Sequence, residues 1–171
     1  MRTVGKIAAV LTLLLLAAAG PGALRTAARG GVPAFAASSG NPEWVDFTLP
    51  EAGGGQVSLS RFIGKKPVLL IFWATWCPHC NESVPAINAM HSEPPTRDAL
   101  AILALDYMES REKVGAFLLS KKVAFPVLLD SSGSVARKYG VVGIPTYILI
   151  DRDGKVAYRG HELPEIARYL P

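Results

Sequence analysis

Residues 68–80 constrain this chain more than any other stretch. Val68-Leu69-Leu70-Ile71-Phe72 is apolar without alternation, which predicts a strand covered on both faces. Trp76-Cys77-Pro78-His79-Cys80 follows, and it holds the only two cysteines among the 171 residues. Pro78 suits a first helical turn, where it has no N–H to leave unsatisfied. The pattern therefore predicts a strand-to-helix junction with Cys77 at the helix N-terminus. Unpaired N–H groups and partial positive charge at such an end stabilise a thiolate, the form that attacks disulfides. With no third cysteine, a disulfide framework and a four-cysteine zinc site are both excluded. A disulfide closing so small a loop would give little entropic stabilisation. The reading left is a dithiol that cycles between reduced and oxidised states.

Charge separates the chain into two parts. The formal net charge is +4. Residues 1–36 carry Arg2, Lys6, Arg25 and Arg29 and no acid, and the remainder balances 14 basic against 14 acidic residues. The basicity belongs to the leader, so no nucleic-acid surface is expected. A short basic start precedes the apolar residues 7–19, which fit the core of a signal peptide. Cleavage near Ala23 and after Ala34-Phe35-Ala36 are both open. So is an uncleaved membrane anchor running to Leu24. The expected organisation is a signal peptide or anchor over residues 1–24, a flexible Ala/Gly/Ser/Pro linker over 25–41, and one domain over 42–171. The folded part is expected outside the cytoplasm, in a periplasmic or similar oxidising compartment, where a dithiol needs dedicated partners to stay reduced.

Further along, residues 44–49 and 56–59 read as short extended segments around Gly53-Gly54-Gly55. A helix is expected over 78–90, kinked at Pro85. Residues 100–105 form a second buried strand, Ser110 caps a helix reaching Ser120, and 125–129 form a third strand. A short helix over 134–139 ends at Gly140. Residues 146–150 and 155–159 are strands joined at Asp151-Arg152-Asp153-Gly154, a hairpin signal. A last short helix is expected over 162–170. This order implies an α/β fold, a mixed central sheet with helices on both faces.

The segment Phe72-Trp73-Ala74-Thr75-Trp76-Cys77-Pro78-His79-Cys80 resembles the active site of thioredoxin-fold proteins. Asp46-Phe47-Thr48-Leu49-Pro50, Phe125-Pro126-Val127-Leu128-Leu129-Asp130 and Gly143-Ile144-Pro145-Thr146 narrow the resemblance. They are similar to the exported TlpA/ResA-like branch of the redoxin (AhpC/TSA-related) family, over roughly residues 42–160. The resemblance implies a thioredoxin-like domain that exchanges disulfides with protein cysteines and needs no cofactor. In that role Cys77 is the nucleophile and Cys80 the resolving thiol. Pro78 and His79 tune the redox poise, His79 through positive charge near the thiolate. The resemblance also implies that Pro145 is cis, that the Ile144 backbone pairs with an extended substrate, and that Trp76 covers the active surface as a platform. Trp73 packs beneath it, and Trp44 packs in the core or at an edge.

Two departures concern protons. The position that carries a buried acid in thioredoxin-like reductases is Ile71. The glutamate that many ResA-like proteins carry after the second cysteine is Ser83, with Glu82 its neighbour and read as an ordinary exposed acid. His91 and His161 read as surface residues.

The family resemblance favours reduction, although the local cues point both ways. Pro78-His79 resembles the oxidising DsbA, while Ile144 is similar to reducing members. A reductase of the cytochrome c maturation type would require a membrane electron-transfer partner. The alternatives are a DsbA-like disulfide oxidant and a thioredoxin-fold copper module using both cysteines and a distant histidine. A peroxiredoxin-type peroxidase is disfavoured by the Cys-x-x-Cys pair.

Overall fold

The computed structural model describes residues 44–170. The expected leader and the whole of the expected linker, residues 1–41, lie outside the described residues. A small antiparallel hairpin opens the described part, β1 (Thr48–Pro50) and β2 (Gln56–Ser58). It leads through a 3-10 turn, Leu59–Arg61, into β3 (Val68–Trp73). Then come α1 (Pro78–Ser92), α2 (Thr96–Ala99), β4 (Ala101–Tyr107) and α3 (Arg111–Lys121). The chain ends through β5 (Val127–Asp130), α4 (Ser134–Lys138), β6 (Thr146–Ile150) and β7 (Val156–Gly160).

The main sheet has the order β5-β4-β3-β6-β7. Strands β3, β4 and β5 are parallel, and β6 and β7 run antiparallel to their neighbours. This is the expected mixed sheet, and β3 sits at its centre. Every residue of β3 is buried, which explains why its sequence shows no polar alternation. Successive side chains point to opposite faces, and two cores form accordingly. Leu69, Ile71 and Trp73 join Ile102, Ala104, Tyr147 and the α1 residues Val84 and Ile87. Val68, Leu70 and Phe72 join Leu103, Leu105, Ile148 and the α4 residues Val135 and Ala136. Burying each of these large aliphatic side chains contributes about 1.5–3 kcal/mol.

The local signals act as their chemistry requires. The Ser110 hydroxyl accepts from the Lys113 N–H (3.3 Å) and starts α3. At the β6–β7 turn the Asp151 carboxylate accepts from the Lys155 N–H at 2.8 Å. Gly154 there has φ +83°, and a Cβ on it would meet the Trp44 indole at 2.8 Å. Only glycine combines that conformation with that approach. Trp44 packs against the second core.

Two expectations need correction. Helix α2 follows the cis Pro94–Pro95 bond where only a closing turn is expected. The helix expected over 162–170 is reduced to a 3-10 turn, Ile166–Arg168. Pro164 biases the residue before it towards extended backbone, and Glu165 is itself extended. Ile166, 6% exposed, anchors the segment in the first core.

Candidate active site

Helix α1 begins where the sequence places the cysteines. Cys77 is the N-cap, in extended backbone, and its sulfur accepts from the Cys80 N–H at 3.2 Å. The two sulfurs form a disulfide, with Cα atoms 5.3 Å apart. Exposure does not distinguish the pair, at 3% for Cys77 and 4% for Cys80. Surroundings do. Cys77 faces the helix N-terminus, whereas Cys80 borders a small apolar cavity with Ile71, Trp73, Val84, Phe125 and Tyr147. Ile71 stands in that wall, and no acid lines it.

The loop before β6 supplies the opposite bank. The Ile144–Pro145 bond is cis. The loop is tied by the Thr146 hydroxyl, which donates to the Gly143 carbonyl (2.6 Å). It is tied again by His161, whose Nδ1–H donates to the Pro145 carbonyl at 2.7 Å. Ile144 lines two clefts. One, about 330 Å³, is shared with Trp76, Tyr107, Val141 and Val142. Trp76 and Val142 are 59% and 96% exposed, large apolar surfaces left to solvent beside the cysteines. The other, about 410 Å³, is lined by His79, Glu82, Ser83, Pro145 and His161. His161 is thus part of the site surface, a placement the sequence reading missed. The hydrogen bond spans sixteen residues, and no local pattern announces it.

His79 and Glu82 belong together. They lie one turn apart on α1, with Nδ1 to Oε2 at 3.2 Å, and both side chains are largely exposed. Ser83 accepts from the Tyr147 hydroxyl (2.9 Å) and donates to the His79 carbonyl (3.1 Å). Burial raises the Tyr147 pKa, and the bond to Ser83 opposes part of that rise.

A second polar group lies below the junction and was not read from sequence. Glu109, 7% exposed, accepts from the Thr75 N–H (2.6 Å) and the Thr75 hydroxyl (2.8 Å). Lys113 Nζ lies 2.5 Å from the same carboxylate. Asn81 Nδ2 donates to the Thr75 carbonyl at 3.1 Å. The residue that leads into Trp76-Cys77 is therefore held from two sides. The available signal was Asp106, an acid closing an otherwise apolar strand.

Three comparisons place this arrangement among known proteins. Over 114 residues the chain is 36% identical to a thiol-disulfide oxidoreductase ResA of Bacillus thuringiensis subsp. konkukian, covering 67% of this chain and 65% of the relative. The chain thus spans just under two thirds of that relative's length. A crystal structure from Chlorobium tepidum, assigned to the thiol:disulfide interchange proteins of DsbE type, superposes with a TM-score of 0.66 at 32% identity, over 75% of this chain and 89% of that one. A thiol-disulfide oxidoreductase from Bacteroides fragilis superposes with a TM-score of 0.61 at 26% identity, over 72% and 93%. These matches carry the thioredoxin-like fold. With residues 42–159 matching the AhpC/TSA family model, the chain belongs to the AhpC/TSA family.

Proposed function

We propose that this protein is an extracytoplasmic thiol–disulfide oxidoreductase that reduces disulfides of protein substrates through Cys77 and Cys80. The observation that carries this reading is the Cys77–Cys80 disulfide at the N-terminus of α1, flanked by Trp76 and His79 that share clefts with the cis Ile144–Pro145 loop. In the reduced protein the Cys77 thiolate attacks one sulfur of the substrate disulfide. A Cys77–substrate bond forms, and the other substrate sulfur leaves as a thiolate. Cys80 gives its proton to water and attacks the Cys77 sulfur. The mixed disulfide breaks and the Cys77–Cys80 bond forms. The substrate gains two electrons and two protons. A reductant must then restore the pair, and we assign that task to a membrane electron-transfer partner.

An extended substrate chain pairs with the backbone at Ile144, and Trp76 serves as its apolar platform. Direction follows from His79. Its ring pairs with the Glu82 carboxylate and is largely exposed, so the stabilisation it can lend a Cys77 thiolate is offset by the acid and screened by water. That favours a reducing pair. The DsbA-like oxidant remains the second reading, supported by the Pro78-His79 dipeptide itself. For the copper module, no group of three or more His, Cys, Asp or Glu among the described residues is placed to hold a metal ion.

Export rests on the basic-apolar leader and the organisation proposed for residues 1–24, 25–41 and 42–171. No helix among the described residues is long and apolar enough to cross a membrane. The test is trapping. Cys80→Ser should accumulate a mixed disulfide between Cys77 and a model disulfide protein such as insulin, read by mass spectrometry. Cys77→Ser should form none and should abolish insulin reduction. Exchange that survives Cys77→Ser would sink the assignment.

A further inference from the structure

The polar group beneath the junction has no part in the exchange steps above. Asp106 ends the apolar run of β4 and lies in register beside Trp73 of β3. It is 0% exposed. Its Oδ1 accepts from the Glu109 N–H at 3.2 Å. Its Oδ2 is buried and has no hydrogen-bond partner among the described residues. An ionised carboxylate would not be left so poorly satisfied, whereas a protonated one needs less. Glu109 is the reverse case. It accepts from the Thr75 N–H and hydroxyl and from Lys113, the environment of a charged carboxylate.

Electrostatics agree with that division. Burial, and then the neighbouring Glu109 carboxyl, push Asp106 up to about 8, and the Glu109 N–H opposes part of that rise. Burial also opposes ionisation of Glu109, but the bonds from Lys113 and Thr75 outweigh it and hold Glu109 below the usual carboxylate range. The other groups facing the pair bring no compensating charge. They are the Trp73 indole on β3 and the Asn81 amide on α1, each with one buried polar atom lacking a partner, and the Ser131 hydroxyl, which donates to the Glu109 carbonyl. Arg111 of α3 is engaged elsewhere, donating to the Glu51 and Ala52 carbonyls. One cation, Lys113, therefore faces two carboxyl groups. Two carboxyls in such a site share one proton rather than both ionise.

We propose that Asp106 and Glu109 form a one-proton carboxyl pair that positions the Thr75–Cys77 loop, and that losing the shared proton changes the reactivity of Cys77. The inference rests on the exchange reading above and adds a control to it. With the proton present, Glu109 carries the only negative charge and holds Thr75. Without it, a second charge appears beneath the loop. That charge repels Glu109, weakens its hold on Thr75, and opposes thiolate formation at Cys77. Both residues act through Thr75, so they are positioning residues.

The test is the rate of alkylation of reduced protein by iodoacetamide from pH 5 to 10. In the wild type, the rate should follow two ionisations, one of the Cys77 thiol and a second near the Asp106 value of about 8. Asp106→Asn mimics the protonated acid. It should follow one ionisation, with its alkylation midpoint at lower pH than that of the wild type, and react faster than the wild type between about pH 8 and that midpoint; the gain is at most about 3–10-fold, the limit set by roughly half to one unit, and vanishes once both thiols are fully ionised. The difference should close below pH 7. Superimposable profiles for the wild type and Asp106→Asn would overturn the proposal. An infrared titration of the unmodified protein needs no variant to fold. A protonated-carboxyl band should persist at neutral pH and vanish around pH 8. Its absence at pH 6 would also overturn the proposal. A Cys77 that alkylates at no pH would instead overturn the exchange reading and the coupling with it, while the infrared titration would still decide the shared proton.

Discussion

Two interiors meet at the start of α1, and they are built from opposite materials. Behind Cys80 the wall is Ile71, Val84, Phe125 and the ring of Tyr147. Beneath Thr75, only a few residues earlier in the chain, lie Asp106, Glu109 and Lys113. The apolar interior penalises charge on the Cys80 sulfur, and no residue lining it is a fixed proton acceptor. The charged interior fixes the backbone that leads to Cys77. A junction of this kind separates two tasks. Ionic hydrogen bonds hold the backbone on the Cys77 side, and dry packing surrounds Cys80.

The comparison can be broken most severely by making the two interiors alike. Ile71→Asp places an unpaired acid in the dry wall. It should destabilise the protein by about 3 kcal/mol at pH 8, measured by urea unfolding. The cost should shrink towards pH 4, because a buried acid is held neutral there. An unchanged midpoint at pH 8 would mean that the wall behind Cys80 is already wet in the resting protein, before exchange begins.

Glu109→Gln attacks the other side. It removes the charge that Lys113 and Thr75 address and leaves buried donors poorly matched. A loss of about 2–3 kcal/mol is expected. If stability holds, the Thr75 bonds do not fix the loop.

A further effect lies in the pH dependence of stability. Asp106 has its pKa raised in the folded state, from 3.8 to about 8. The folded protein therefore holds a proton that the unfolded chain releases. The contribution is complete below the unfolded value and is lost as pH rises towards the folded one. Its slope is at most about 1.4 kcal/mol per pH unit. Glu109 has the opposite sign, and its contribution is lost as pH falls below its ordinary value of 4.5. Asp106→Asn should flatten the fall between pH 5 and 8. A fall of equal slope in that variant would place the titrating group elsewhere.

These contrasts also show what sequence conveys. The central strand was legible because burial on both faces leaves a continuous apolar run, and β3 is buried throughout. The junction was legible because Cys77, Pro78 and Cys80 fix an N-cap and a first turn by themselves. The Asp151–Gly154 turn was legible for the same local reason. Failures came where local preference met distant contacts. A final helix was expected over 162–170, but Pro164 and the anchoring of Ile166 in the first core produced a 3-10 turn. Glu109 sits between a strand and a helix, where an acid looks like any exposed acid. Only the fold brings it to Thr75, which is distant in sequence. His79 was legible as a neighbour of Cys77, and Glu82 as an ordinary exposed acid, but their pairing was not read from sequence.

The central claim is that the dithiol is a reductant despite its Pro-His dipeptide, whose His79 ring is paired with Glu82 and open to solvent. The most direct measurement is the reduction potential of the Cys77–Cys80 pair, by equilibration of the protein with a series of redox buffers. The account predicts a value near that of thioredoxin, about −270 mV. A value near that of DsbA, about −120 mV, would contradict it and make the protein an oxidant.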